Sequence, residues 1–324
     1  MKTTILPANY ILPHMGDILG VLKKYGTEAG YTDLAAILGI RQTGPYKETK
    51  DGHSSSYSWT ATPCGSDRSV YVSNDSGCPG QIISCANRFA GVRPVLMPSE
   101  QPIIKPKLTK LKDARGNVYE NINVVHCGEY PQDVVYDDGY DIDKKMKEKV
   151  LSKGKHTGKV FTFDGTLPDA YNMGFNPISY NELGFRGRKF ILLEARTEDE
   201  SAVLQNDSFI ICDKKYCIEV KPIEWLVDEK TGMWISKLNL FAGIQFDPTI
   251  NDFSKNPFLK QYLAEHFDKE MLPSRQNIQQ QSDPGEHEPT EPNNELGPWG
   301  QRLAILREQH FARQREVENG KTAD

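Results

Sequence analysis

FAGVRPVL, residues 89–96, sets an arginine inside an apolar run, two residues after a glycine and directly before a proline. A guanidinium among apolar neighbours is costly unless carboxylates or carbonyls take up its hydrogens. The octet therefore reads as a core strand carrying one buried, paired cation, Arg93. The segments around it are then candidates for supplying the partners.

Upstream of the octet, SYSWTATP (56–63), SVYVSNDSG (69–77) and GQIISCAN (80–87) are short runs rich in β-branched and aromatic residues, separated by Gly, Asn, Asp and Pro. Together with AGVRPVL they predict a compact antiparallel sheet. Before them, MGDILGVLKKYG (15–26) and YTDLAAILGI (31–40) carry apolar residues at helical spacing. In the second, Thr32 is placed to cap and Gly39 to stop the helix.

Downstream, residues 101–118 are basic and proline-containing and read as a connector between two halves. The second half, 119–272, begins with the strand pattern ENINVVHCGEYPQDVV (120–135). DDGYDIDKKMKEKVLSKG (137–154), an acidic loop capping a helix, further strands including RKFILLEAR (188–196), and a closing amphipathic helix over NPFLKQYLAEHFDKEM (256–271) follow. Residues 273–297 are rich in Gln, Pro and Glu with little to bury, the composition of a tether. Residues 298–318 then predict an isolated helix whose narrow stripe, Trp299, Leu303 and Leu306, would anchor it either to the chain's own body or to a partner.

Composition limits the function. Thirty-nine Lys and Arg against 44 Asp and Glu give a net charge of −5 over 324 residues, so no global basic field favours nucleic acid or anionic lipid. No export signal and no apolar run of membrane-spanning length is visible, and six cysteines without a CxxC pair read as thiols. The expectation is a cytoplasmic protein with no membrane partner. No HExxH, P-loop, GxSxG or strand-linked GxGxxG occurs, so neither metal nor cofactor is expected. Cys212 and Cys217 flank two lysines in CDKKYC and read as small hydrophobes of a hairpin, with activated thiols as the alternative. Glu224, beside Trp225 in PIEW, reads as a partner for a buried arginine.

Six stretches, YSWTATP (57–63), AGVRPVL (90–96), CGEYPQ (127–132), KPIEWLV (221–227), MWISKLNL (233–240) and FLKQYLAEHF (258–267), together resemble a bacterial family of unknown function. That family belongs to the C-type-lectin-like superfamily, whose better-known branch includes formylglycine-generating-type domains. The resemblance implies an α+β body of short antiparallel strands and a few flanking helices. GVRP precedes GEYPQ here, against the family's order. This implies a permuted domain, in which residues 1–100 supply late strands and 119–272 early ones, or two paired modules.

By the same resemblance Arg93 lies on a late core strand, with Glu224 and Trp225 also structural. The loop-rich binding face would be built from Trp59, Asp67, Arg68, Tyr71, Asn74, Asp75, Asn87 and Arg88. The implied function is non-enzymatic binding of a protein or small ligand, or scaffolding, for a bacterium or its mobile element. A cysteine-dependent enzyme and a structural component of a larger assembly are the alternatives.

Overall fold

The computed structural model describes residues 10–13, 30–40, 58–63, 69–73, 81–84, 88–97, 101, 103–112, 118–136, 142–165, 176–195, 203–206, 208–245, 250, 252–255, 257–267 and 271. All of them belong to the compact unit Met1–Gln279; the remaining unit is Gln280–Asp324. The expected helix at 15–26 and the tail anchors Trp299, Leu303 and Leu306 lie outside the described residues.

The described residues are mostly antiparallel sheet with three short helices, an α+β composition dominated by strands. Nine strands form the larger sheet: β1 (Tyr10–Ile11), β5 (Val95–Leu96), β12 (Trp234–Ser236), β11 (Lys215–Val227), β10 (Arg188–Glu194), β9 (Pro177–Phe185) and β8 (Lys155–Asp164) in that order. The other two are β7 (Val118–Val134), which pairs with β11, and β6 (Lys107–Lys112), which pairs with β7. A smaller sheet holds β2 (Ser58–Pro63), β3 (Ser69–Ser73) and β4 (Gln81–Ser84).

FAGVRPVL does not join β2 to β4 as a fourth strand; it is the seam between the sheets. Gly91 O accepts from Trp59 N of β2 at 2.9 Å, while Val92 exchanges backbone bonds with Leu240 and Phe241. Three residues on, Val95 pairs with Ile11 and Ile235. Gly91 is required by contact: a Cβ there would lie 2.5 Å from Ile40 and 2.7 Å from Asn239. Asn239 in turn binds Ser58 Oγ through its side-chain oxygen at 2.8 Å, and its backbone N–H donates to Gly30 O.

Arg93 is fully buried, and its partners are carbonyls: Nε donates to Ser236 O at 2.6 Å and Nη2 to Lys237 O at 3.3 Å. Glu224, expected as an arginine's partner, instead binds Lys237. Arg88, also buried, does meet a carboxylate: its Nη1 lies 2.6 Å from Asp164 Oδ2 and also donates to Gly243 O. Trp59 is buried as well, its indole N–H donating to Ile244 O. The binding-face assignment of Trp59 and Arg88 is thus corrected: distant segments cover both.

Helix α1 (Asp33–Ile37) is capped as its sequence predicts, Thr32 Oγ1 accepting from Ala35 N at 3.1 Å. Helix α2 (Lys144–Lys153) is capped by Asp143. Helix α3 (Pro257–Tyr262) runs into a π-helical turn, Leu263–Phe267. From there Tyr262 and Phe267 enter an aromatic cluster with Tyr130 and Phe241. The stretch expected to be a connector, 101–118, contains strand β6: its lysines belong to an edge strand, where charge keeps further strands from adding.

Arg93→Ala should lower the unfolding free energy by roughly 2–5 kcal/mol, because it leaves buried carbonyls without their donor. Arg93→Lys should recover only part, since an ammonium lacks the planar fork. Urea unfolding of the three proteins measures both.

Candidate functional site

Pro131 and Gly128 interrupt what would otherwise be a regular strand, and the ladder shows the consequence. Between Glu219/Val220 and between Pro222/Glu224 the β7–β11 register shifts, each time with one extra residue on β7. Gln132 is the extra residue at the first shift, and the second spans Cys127 and Gly128. Gly128 has φ +71, a left-handed value that suits glycine, and a Cβ there would press on Met271 at 3.0 Å. Bulges bend a strand and re-aim its side chains.

A cleft of about 340 Å³ lies over these irregularities, lined by β7, β11, Gln205 and residues 237–240. At one end Lys221 Nζ is 2.9 Å from Asp133 Oδ2, and Gln205 Nε2 donates to Asp133 Oδ1 at 3.2 Å. At the other, Glu224 accepts from Lys237 at 2.5 Å and faces His126 at 3.4 Å. Between them Gln132 donates its amide hydrogens to the carbonyls of Lys221 and Pro222, at 2.9 and 3.0 Å, which fixes its orientation. Pro222, Leu238 and Leu240 add apolar surface.

Burial works to raise the Glu224 carboxyl, but Lys237 and His126 outweigh it and hold its pKa below the usual value. Burial likewise works against the Lys221 ammonium, yet Asp133 keeps its pKa above the ordinary lysine range. The cleft therefore presents fixed, opposite charges, each already matched, and neither Glu224 nor Lys221 is poised to exchange a proton near neutrality.

Behind the cleft lies Asp33, the first residue of α1 and fully buried. Its Oδ2 accepts from Val134 N at 2.9 Å and Tyr136 OH at 2.7 Å, and its Oδ1 from Gln205 N at 2.7 Å. These bonds favour the carboxylate, but loss of water and then the nearby charge of Asp133 prevail and raise its pKa to about 7.

Of the residues predicted for a binding face, Trp59 and Arg88 are buried, so they present nothing to a ligand. Tyr71 lies in β3, its backbone opposite Ile82. Asp67, Arg68, Asn74, Asp75 and Asn87 lie outside the described residues. Arg93 and Trp225 are core residues, Trp225 donating its indole N–H to Cys127 O at 2.8 Å. Glu224 lines the cleft instead.

Burial pushes the Cys217 thiol up to about 12 and that of Cys127 to about 11, so neither is a ready thiolate. Cys212 is half-buried in the turn before β11. Among the described residues no cluster of His, Cys, Asp and Glu is arranged to hold a metal ion, and no helix is long and apolar enough to cross a membrane. Comparison with models of known protein families, with curated proteins and with solved structures yields no match.

The Asp33 pair has a measurable pH signature. Its folded pKa of about 7 lies above the ordinary 3.8, so between these values the native state holds the extra proton. Stability should therefore fall as pH rises from about 4 to 7, by on the order of 4 kcal/mol, and level off above that. Asp33→Asn should flatten this slope in urea titrations across the window, whatever its effect on absolute stability.

Proposed function

We propose that the protein is a non-enzymatic binding protein with a C-type-lectin-like body. It acts in the cytoplasm of a bacterium or for one of its mobile elements, and the β7–β11 cleft is its ligand site. The cytoplasmic assignment rests on the sparse cysteines and on the unbridged, buried thiols of Cys127 and Cys217.

The observation that carries the reading is charge matching inside a small cavity. Lys221 is already paired with Asp133, and Lys237 with Glu224, so a free anion or cation would have to displace a partner at 2.9 or 2.5 Å. A hydroxyl needs no such displacement, since it donates to a carboxylate while accepting from an ammonium. Gln132, its amide hydrogens engaged, has its carbonyl oxygen left as an oriented acceptor. Pro222 and Leu238 offer a surface for the apolar face of a ring. The ligand that fits is neutral, hydroxyl-rich and of sugar size, within the usual range of small-molecule cavities.

A cysteine-dependent enzyme is less well supported, because burial disfavours the thiolate at Cys127 and Cys217. Saturation-transfer NMR on the full chain, against neutral mono- and disaccharides, free amino acids and small carboxylates, tests the assignment. Signals are expected for the sugars and not for the ions. Lys221→Met, which removes one donor at the rim, should weaken sugar binding roughly tenfold while the protein still melts cooperatively. Preference for amino acids or carboxylates, or sugar binding that is indifferent to Lys221→Met, would overturn it.

A further inference from the structure

Helix α2 and the turn before β11 bring together side chains that the cleft does not use. Phe209 and Ile211 flank the buried Ile210 and point outward together, 57% and 50% exposed. The next residues turn sharply at Asp213, where φ is +57, and send Lys214 over the ring of Tyr216 at 5.1 Å. Burial first, then the charges of Lys144 and Lys147 on α2, lower the pKa of Lys214. The turn and the helix are also joined directly, Lys147 Nζ donating to Lys215 O at 3.4 Å.

Lys144, Lys147 and Leu151 follow one another at helical spacing, so they share a stripe. Leu151 is 55% exposed. Among the described residues no carboxylate forms an ion pair with Lys144, Lys147 or Lys214. Three lysines with no ion-pairing carboxylate among the described residues, together with exposed Phe209, Ile211 and Leu151, suit an anionic and partly apolar partner.

We propose that this face docks the protein onto an anionic lipid surface. The three lysines meet headgroup phosphates, and Phe209, Ile211 and Leu151 enter the boundary between headgroups and acyl chains. Lysines suit this partner because a mobile headgroup layer rewards point charges and asks for no fixed fork. A nucleic acid would leave Ile211 and Leu151 without use, since neither stacks on a base nor pairs with a phosphate. The net charge of −5 over the whole chain turns its other faces away from such a surface, so the contact is oriented. The protein then lies on a membrane without crossing it.

Flotation of the full-length protein with phosphatidylcholine vesicles, with and without phosphatidylglycerol, tests this. Binding is expected only to the vesicles containing phosphatidylglycerol, and it should weaken steeply as salt is raised. The triple variant Lys144→Gln, Lys147→Gln, Lys214→Gln should bind roughly a hundredfold more weakly. Phe209→Ser with Ile211→Ser should reduce the part of the binding that salt does not remove, and circular dichroism melts of both variants confirm that they fold. Equal binding to pure phosphatidylcholine, no binding to either vesicle, or parent-like binding by the lysine variant would overturn the proposal. So would retention by duplex DNA or polyglutamate, in place of vesicles, that the lysine variant loses; this would assign the face to that partner.

Discussion

Two arginines cannot be taken out of water unless the fold surrounds their hydrogens with oxygen, and Arg88 and Arg93 impose that demand five residues apart. Arg88 draws in Asp164 at the end of β8 and the carbonyl of Gly243. Arg93 draws in the carbonyls of Ser236 and Lys237 just beyond β12. The oxygens come from segments distant in the chain, so one short stretch fixes how the end of β8, the end of β12 and the 240–244 strap meet. The smaller sheet is tied to the same stretch through Gly91, and the larger through Val95. A hydrophobic octet would have packed here in several ways, whereas buried guanidinium groups accept few.

The cleft follows from a different constraint. A regular β7–β11 ladder would alternate its side chains above and below and leave a flat surface. Two extra residues on β7 break the alternation, turning Gln132 back onto the carbonyls of β11 and setting Asp133 beside Lys221. Pro131 and Pro222 sit at the irregular positions, where a missing backbone donor is tolerated. The polar groups are thus held by backbone geometry, which is the rigidity a small-ligand site needs.

Local rules read the local structure well. The Thr32 cap, the helix following Asp143 and the strands at 58–63, 69–73 and 188–194 are set by neighbouring residues. Burial of Trp59 and Arg88 was not legible, because each is covered from far along the chain, by Ile244 and Asp164, 185 and 76 residues away. Strand β6 looked like a connector since its lysines face solvent along an edge. The cleft residues each resemble the wet side of an ordinary strand, and only the Gly and Pro within GEYPQ signal a bulge. What brings the Lys221 side chain within reach of Asp133, two ladder positions away opposite Glu219, is the bulged register, which a single sequence does not spell out.

The seam has a consequence for synthesis. Arg93 finds its carbonyl partner 143 residues later. At ribosomal rates of about 5–20 residues per second, FAGVRPVL emerges on the order of ten seconds before the segment it pairs with. During that interval an apolar strand bordered by Arg88 and carrying Arg93 has only its upstream partners and waits for the downstream ones. The arginines, which the finished core must surround with oxygen, then serve as gatekeepers, keeping the nascent segment hydrated and out of aggregates until residues 234–243 arrive.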